Sequence, residues 1–212
     1  MRFKDRADAG RRLAAALAAY KQADAVVIAL PRGGVVLGAE IAKALDLPLD
    51  LVIPRKIGHP HQPEYAIAAV AECGELASNA GEVERVDPDW FRAEVERQRQ
   101  QARRRRQIYL GGRPVPALTG KTAIVVDDGI ATGLTMFAAL RDIRRAGAAR
   151  IVVAIPAAPA ETIARLQREV DEVVVLAGDE YYLGAVGAYY DSFPQVSDVE
   201  VVALLKHRME II

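Results

Sequence analysis

One cysteine, Cys73, stands in the 212 residues. No intramolecular disulfide can form, which fits a reducing compartment and predicts a cytoplasmic protein. No stretch of 18 apolar residues occurs, so no membrane span or membrane partner is expected. The opening residues MRFKDRADAGRRL lack the apolar core of a secretory signal. An excess of either charge is also missing, because 28 Lys and Arg balance 28 Asp and Glu. Bulk charge therefore argues for no polyanionic partner, and nucleic acid is not expected as a ligand. No internal repeat and no low-complexity linker divides the chain. With 51% hydrophobic residues, one domain with a sizeable core is expected.

What is present alternates. Ala7 to Tyr20 reads as a helix, with Leu13, Leu17 and Tyr20 at helical spacing. Ala25 to Leu30 is a short continuous apolar run, as in a strand buried on both faces. Val35 to Leu45 reads as a helix, Leu51 to Ile53 as a strand, and Ala66 to Ala71 as a third strand candidate. Asp87 caps a helix that Pro88 opens and Gly111-Gly112 ends. Thr122 to Val126 is a strand, Gly133 to Ala146 a helix, Ile151 to Ile155 a strand, Pro159 to Val170 a helix and Val173 to Leu176 a strand. Such alternation predicts an α/β fold, a parallel central sheet flanked by helices. After Gly178 the pattern changes to an aromatic, loop-rich tail.

The segment IVVDDGIATGLT, Ile124 to Thr135, sets two adjacent carboxylates at the end of an apolar strand. Two ionised carboxylates repel each other and need solvation, so a core strand has no use for them. In open α/β sheets ligands bind beyond the carboxyl ends of strands, which is where Asp127 and Asp128 fall. The following glycines permit close backbone approach, and amides at a helix N-terminus favour an anion. Thr132 and Thr135 add hydroxyl donors. A sugar phosphate has the matching shape: phosphate for the loop, vicinal hydroxyls for the carboxylates. A capped turn alone explains one Asp, not two followed by T-G-x-T. The G-K-T of Gly120 to Thr122 is not a Walker A loop, because position 115 is Val and the segment precedes a strand. No dinucleotide-binding G-x-G-x-x-G follows a strand.

Ile124 to Thr135 resembles the phosphoribosyl-pyrophosphate (PRPP) motif of type I phosphoribosyltransferases. The resemblance implies that Asp127 and Asp128 hold the ribose hydroxyls and serve catalysis by position and charge. It implies a 5-phosphate cradle of Gly129, Ile130, Ala131, Thr132, Gly133, Leu134 and Thr135. Leu30-Pro31-Arg32-Gly33-Gly34 resembles the family's pyrophosphate loop, with its non-proline cis bond falling between Pro31 and Arg32. In order of elements and motif spacing the resemblance covers roughly residues 22 to 178, leaving about 179 to 212 as a small C-terminal hood. The implied function is transfer of ribose 5-phosphate from PRPP to a nitrogen acceptor, a nucleobase by preference, with release of pyrophosphate. Mg²⁺ is the implied cofactor, held mainly through substrate and water oxygens. A homodimer is implied as well. The alternative is a PRPP or nucleotide sensor that uses the fold to bind RNA, DNA or a protein partner.

Three further stretches carry expectations. Residues 55 to 65 are polar and turn-rich, and they or residues 72 to 86 match the family's mobile loop that closes over substrate. Within the first stretch, Arg55 and Lys56 are expected at the pyrophosphate. His59, His61 and Glu64 fit no strong zinc signature, so no protein-ligated metal is expected. Arg92 to Arg106 carries seven arginines and two glutamates. Four successive arginines spread around a helix, so the preferred account is a solvated face with arginine stems on apolar surface. Finally, Tyr181, Tyr182, Tyr189, Tyr190 and Phe193 crowd the tail. Flat rings there suit a stacked base, and Tyr189, Tyr190 and Asp191 are the acceptor candidates. Their alternative is packing of the tail onto the sheet. Ala131 stands where hypoxanthine- and guanine-using relatives have Asp and where adenine- and uracil-using relatives have Ala, which argues against an oxopurine acceptor.

Overall fold

The computed structural model of the chain describes residues 1–111, 113, 117–178 and 182–209. Gly112 and Tyr181 lie outside the described residues. Five parallel strands form the central sheet: β1 (Ala25–Ala29), β2 (Leu49–Leu51), β6 (Thr122–Val126), β7 (Arg150–Ala157) and β8 (Glu172–Ala177), in the order β2-β1-β6-β7-β8. Around them run helices α1 (Arg6–Ala16), α2 (Gly33–Leu45), α4 (Pro88–Leu110), α5 (Leu134–Arg145), α6 (Ala160–Glu169) and α7 (Asp198–Met209). The short helix α3 spans Ala80–Val83.

Strand periodicity divides the core into two layers. Val27, Ala29, Ile124, Val126, Val152 and Ala154 face one side, where Leu13 of α1, Leu37 and Ile41 of α2, Tyr109 of α4 and Leu205 of α7 join them. Val26, Ile28, Ala123, Val125, Ile151 and Val153 face the other, against Met136, Leu140 and Ile143 of α5. Every residue of β1 is buried, which is why it reads as a continuous apolar run.

Four expectations are corrected. Ala66 to Ala71 is not a strand of the central sheet. A second, antiparallel sheet holds β3 (Arg55–His59), β4 (Gln62–Val70) and β5 (Leu76–Ser78). The polar stretch 55 to 65, expected as a loop, is therefore mostly a hairpin turning at Pro60 and His61. Its inward side chains Ile57, Ile67, Ala68 and Val70 are buried with Val86, which gives the hairpin its own small core. The second parallel strand lies at Leu49–Leu51 and not at Leu51 to Ile53. The tail also contains a helix, α7, whose N-terminus is a reciprocal capping box. The Glu200 amide donates to Ser197 Oγ at 3.2 Å, and the Ser197 amide donates to Glu200 Oε2 at 2.7 Å.

The N-terminal segment pairs with the tail ahead of α7. The Phe3 amide donates to the Tyr189 carbonyl and the Asp191 amide to the Phe3 carbonyl, both at 2.8 Å. This pairing brings α1 and the tail to the carboxyl end of the sheet, beside the residues that follow β6.

Most of the arginine-rich face of α4 is neutralised locally. Arg92, Arg97 and Arg99 pair with Asp89, Glu94 and Glu96 one turn earlier. Arg103 donates to the Glu72 carbonyl. Arg106 is buried and donates to Asp50 Oδ1 at 3.1 Å and to Glu72 Oε1 and the Leu51 carbonyl, both at 2.9 Å.

Candidate active site

Strand β6 ends at Val126, and the acid pair follows at once. Each carboxylate has one oxygen held by the protein. Asp127 Oδ1 accepts from the Asp128 amide at 2.9 Å. Asp128 Oδ2 accepts from Arg6 Nε at 2.7 Å. Outside the pair itself, Asp127 Oδ2 and Asp128 Oδ1 take no hydrogen bond from a described residue, so one acceptor of each residue is left for a ligand. Burial, and then the neighbouring charge of Asp128, push the Asp127 carboxyl well above the usual carboxylate range.

The loop behind the pair is set by contacts on both sides. Gly129 has φ +148°, and a Cβ there would meet Val186 Cγ1 at 2.5 Å. No other residue fits both the conformation and the gap. The Ile130 amide donates to the Ala157 carbonyl at 3.0 Å, and Thr162 Oγ1 donates to the Ala131 carbonyl at 3.0 Å. Gly133 then caps α5, whose first amides have no intrahelical acceptor. Thr132 and Thr135 make no side-chain hydrogen bond among the described residues. The dipole of α5 and these amides together favour an anion.

The second glycine loop closes the other wall. The Pro31–Arg32 peptide bond is cis. Gly33 and Gly34 open α2, which begins two residues before the expected Val35. A Cβ on Gly33 would fall 1.8 Å from Asp128 Oδ2, and one on Gly34 would fall 2.8 Å from the Val126 carbonyl. The absence of side chains is what lets this helix terminus lie against the acid pair.

Between the two loops lies a cleft of about 260 Å³. It is lined by Leu30, Pro31, Pro54, Lys56, Asp127, Asp128, Gly129, Ile130, Ala131, Thr132, Gly133 and Thr135. The structure thus brings together the acid pair, the loop after it and Lys56, with Gly33 and Gly34 against the pair.

It does not bring in every expected residue. Arg55 and Lys56 are successive residues of β3 and point to opposite faces. Lys56 lines the cleft, whereas Arg55 turns to α4 and donates to Gln98 Oε1 at 3.1 Å and Gln101 Oε1 at 3.0 Å. The Arg32 guanidinium lies 3.6 Å from Asp198 of α7, so at this loop it is the backbone that borders the cleft. Tyr189 and Tyr190 are 1% and 4% exposed. Tyr190 stacks between Phe3 and Phe193, and its hydroxyl donates to the Asp128 carbonyl at 2.6 Å. Packing of the tail is their role, and neither ring has a free face for a base. Asp191 forms an exposed ion pair with Arg2.

Sequence reasoning missed Arg6. It sits in α1, 122 residues from Asp128, and no local pattern marks it. A buried arginine on an otherwise small-residue helix face becomes interpretable only through its long-range partners.

Among the described residues no cluster of three or more His, Cys, Asp or Glu could hold a metal ion. Two carboxylates with one open oxygen each fit a hard cation that completes its shell with substrate and water oxygens. They do not fit an all-protein cage. No helix among the described residues is long and apolar enough to cross a membrane.

Comparisons with known proteins agree with this geometry. TT1426 from Thermus thermophilus has a crystal structure that superposes with a TM-score of 0.82 at 43% identity, covering 98% of this chain and 99% of that one. Two curated Mycobacterium tuberculosis proteins with provisional phosphoribosyl transferase names, from strains H37Rv and CDC 1551, are each 43% identical over 205 residues. The match takes in 96% of this chain and 46% of theirs, so the chain spans about half the length of these relatives. Residues 2–191 match the family described as the phosphoribosyl transferase domain. The chain that folds this acid pair and its two glycine loops around one cleft belongs to the phosphoribosyl transferase domain family.

Proposed function

We propose that the protein transfers ribose 5-phosphate from PRPP to a nitrogen acceptor and releases pyrophosphate. One observation carries the reading. A single cleft combines two open carboxylate oxygens, a helix N-terminal amide cradle with two threonine hydroxyls, and a glycine loop with Lys56 opposite.

In this reading the open oxygens of Asp127 and Asp128 accept hydrogen bonds from the ribose 2- and 3-hydroxyls. The amides from Ala131 to Thr135 take the 5-phosphate. Gly33, Gly34 and Lys56 lie on the side of the leaving pyrophosphate. The carbon–oxygen bond from C1 to pyrophosphate breaks, and the acceptor nitrogen forms its bond to C1. The transition state carries positive charge at C1, which the carboxyl oxygens of the pair face from a fixed position. A Mg²⁺ ion, when bound through substrate oxygens and the pair, supplies further charge for the departing anion. A nucleobase is the favoured acceptor class, and Ala131 favours one without the oxopurine pattern.

Calorimetric titration with PRPP, with and without Mg²⁺, is the test. The wild type is expected to bind in a Mg²⁺-dependent way. The double variant Asp127→Asn/Asp128→Asn is expected to lose at least about a hundredfold in affinity, as two charged hydrogen bonds are removed. The variant leaves Arg6 without its carboxylate partner, so its melting temperature is expected to fall, and a cooperative unfolding transition checks that it is still folded. A folded wild type that binds no PRPP sinks the proposal.

A further inference from the structure

We propose that Arg6 is a positioning residue for the acid pair: it fixes Asp128 so that the open oxygens of both carboxylates are presented together to a vicinal diol. The proposal rests on the PRPP reading above and extends it to the first helix, which the sequence motifs do not touch.

The geometry around Arg6 is fully engaged. Its side chain is 10% exposed. Nε donates to Asp128 Oδ2 at 2.7 Å, and Nη1 donates to the Pro194 carbonyl at 2.6 Å. The guanidinium carbon lies 3.7 Å from the centre of the Phe193 ring. A Cβ on Gly33 would come within 2.9 Å of Nε, so the pyrophosphate-side loop abuts the same group. One planar fork therefore joins α1, the tail, the acid pair and the second glycine loop. Lysine cannot make those contacts at once, because its ammonium is a point charge without a planar face.

The reason for a cation here is electrostatic. Asp127 and Asp128 are adjacent, and other charged or titratable groups near them are Lys56 from β3, Arg6 from α1 and the Tyr190 hydroxyl from the tail. Arg32, on the neighbouring loop, is taken up by Asp198. Without Arg6, Lys56 remains as the cation lining the cleft, and it is exposed to solvent. Arg6 is the cation that contacts Asp128 directly, and by holding Oδ2 it fixes the carboxylate's orientation and leaves Oδ1 as the oxygen for the ligand.

The test is PRPP affinity by calorimetry in Mg²⁺, with melting temperature read beside it, for the wild type, Arg6→Ala, Arg6→Lys and Phe193→Ala. Arg6→Ala is expected to bind about tenfold or more weakly. Arg6→Lys, which restores a cation but not the planar fork, should recover part of that loss. Phe193→Ala, which removes the ring behind the guanidinium and leaves the ion pair, should weaken binding by less. If Arg6→Ala does not fold, the other two variants decide the matter. A folded Arg6→Ala with wild-type affinity overturns the proposal, as does a loss that lysine does not relieve at all. In both cases wild-type binding leaves the PRPP reading standing. A wild type that binds no PRPP at any pH removes the reading and this proposal together.

Discussion

The molecule sets the same three charged groups, two carboxylates and an arginine, in two places. At the cleft they are Asp127, Asp128 and Arg6. Beneath α4 they are Asp50, Glu72 and Arg106. In the second place all three are buried, at 4%, 7% and 7% exposure. Arg106 bridges the two carboxylates and the Leu51 carbonyl, and Asp50 Oδ1 also accepts from the Leu51 amide at 2.5 Å. The space beside Glu72 is a cavity of about 30 Å³, room for about one water. At the cleft the arginine takes one oxygen and leaves another open beside a cavity of about 260 Å³. Identical chemistry thus serves as a rivet in one place and as a ligand site in the other. What separates them is the room beside the carboxylates and whether backbone amides face the same space.

The comparison breaks first if the buried triad turns out to be dispensable. Removing one partner of a buried ion cluster leaves uncompensated charge and costs about 3–5 kcal/mol. Arg106→Leu is therefore expected to lower stability by that amount in urea denaturation. The fraction that remains folded should bind PRPP with wild-type affinity. A stable Arg106→Leu protein that has lost PRPP would reverse the assignment of the two places.

Gly33→Ala sharpens the comparison from the cleft side. The new Cβ would overlap Asp128 Oδ2 at 1.8 Å and its carboxyl carbon at 2.4 Å. Either Asp128 or the start of α2 must move. Because Asp128 stands at an open cleft, its side chain is expected to yield. The outcome should be a loss of PRPP affinity of about tenfold or more, with stability lowered by about 1–2 kcal/mol. Unchanged PRPP affinity would show that the position of Asp128 is not what the ligand reads.

These two places differed in how much of them could be read from residues alone. The acid pair, the loop after it and the Pro31 to Gly34 segment are contiguous and follow strands, so local pattern carries them. Arg6 is not contiguous with anything it touches, and its neighbours in sequence are those of an ordinary amphipathic helix. Arg55 and Lys56 were equivalent as a dipeptide and were separated only by the pleat of β3. The hairpin at 55 to 70 was obscured because its outer half is polar, and only Ile57 and the run from Ile67 to Val70 mark its buried part. Helix α7 had a legible signal in Ser197-x-x-Glu200, overshadowed by the tyrosines before it. The tyrosines themselves show the limit of composition. Their clustering was plain, but only the pairing of Phe3 with the tail decides that Tyr189 and Tyr190 are core.

The sealed character of the triad can also be tested through pH. Burial pushes the Glu72 carboxyl up to about 7, against the opposing charge of Arg106. Burial also raises the carboxyls of Asp50 and Asp142. An unfolded Glu72 gives up its proton near 4.5, so between there and about pH 7 the folded state holds a proton that the unfolded state has lost. Stability must therefore fall as pH rises through that window, and level off above it. The drop amounts to at most about 3 kcal/mol for this residue. Glu72→Gln keeps an oxygen that accepts from Arg106 and leaves Arg106 and Asp50 as a neutral pair. The variant is expected to lose most of the fall, and to equal or exceed the wild type in stability near pH 8. Urea denaturation at several pH values checks this. If wild-type stability instead climbs through the window, the triad is ionised and solvated, and the contrast with the cleft fails.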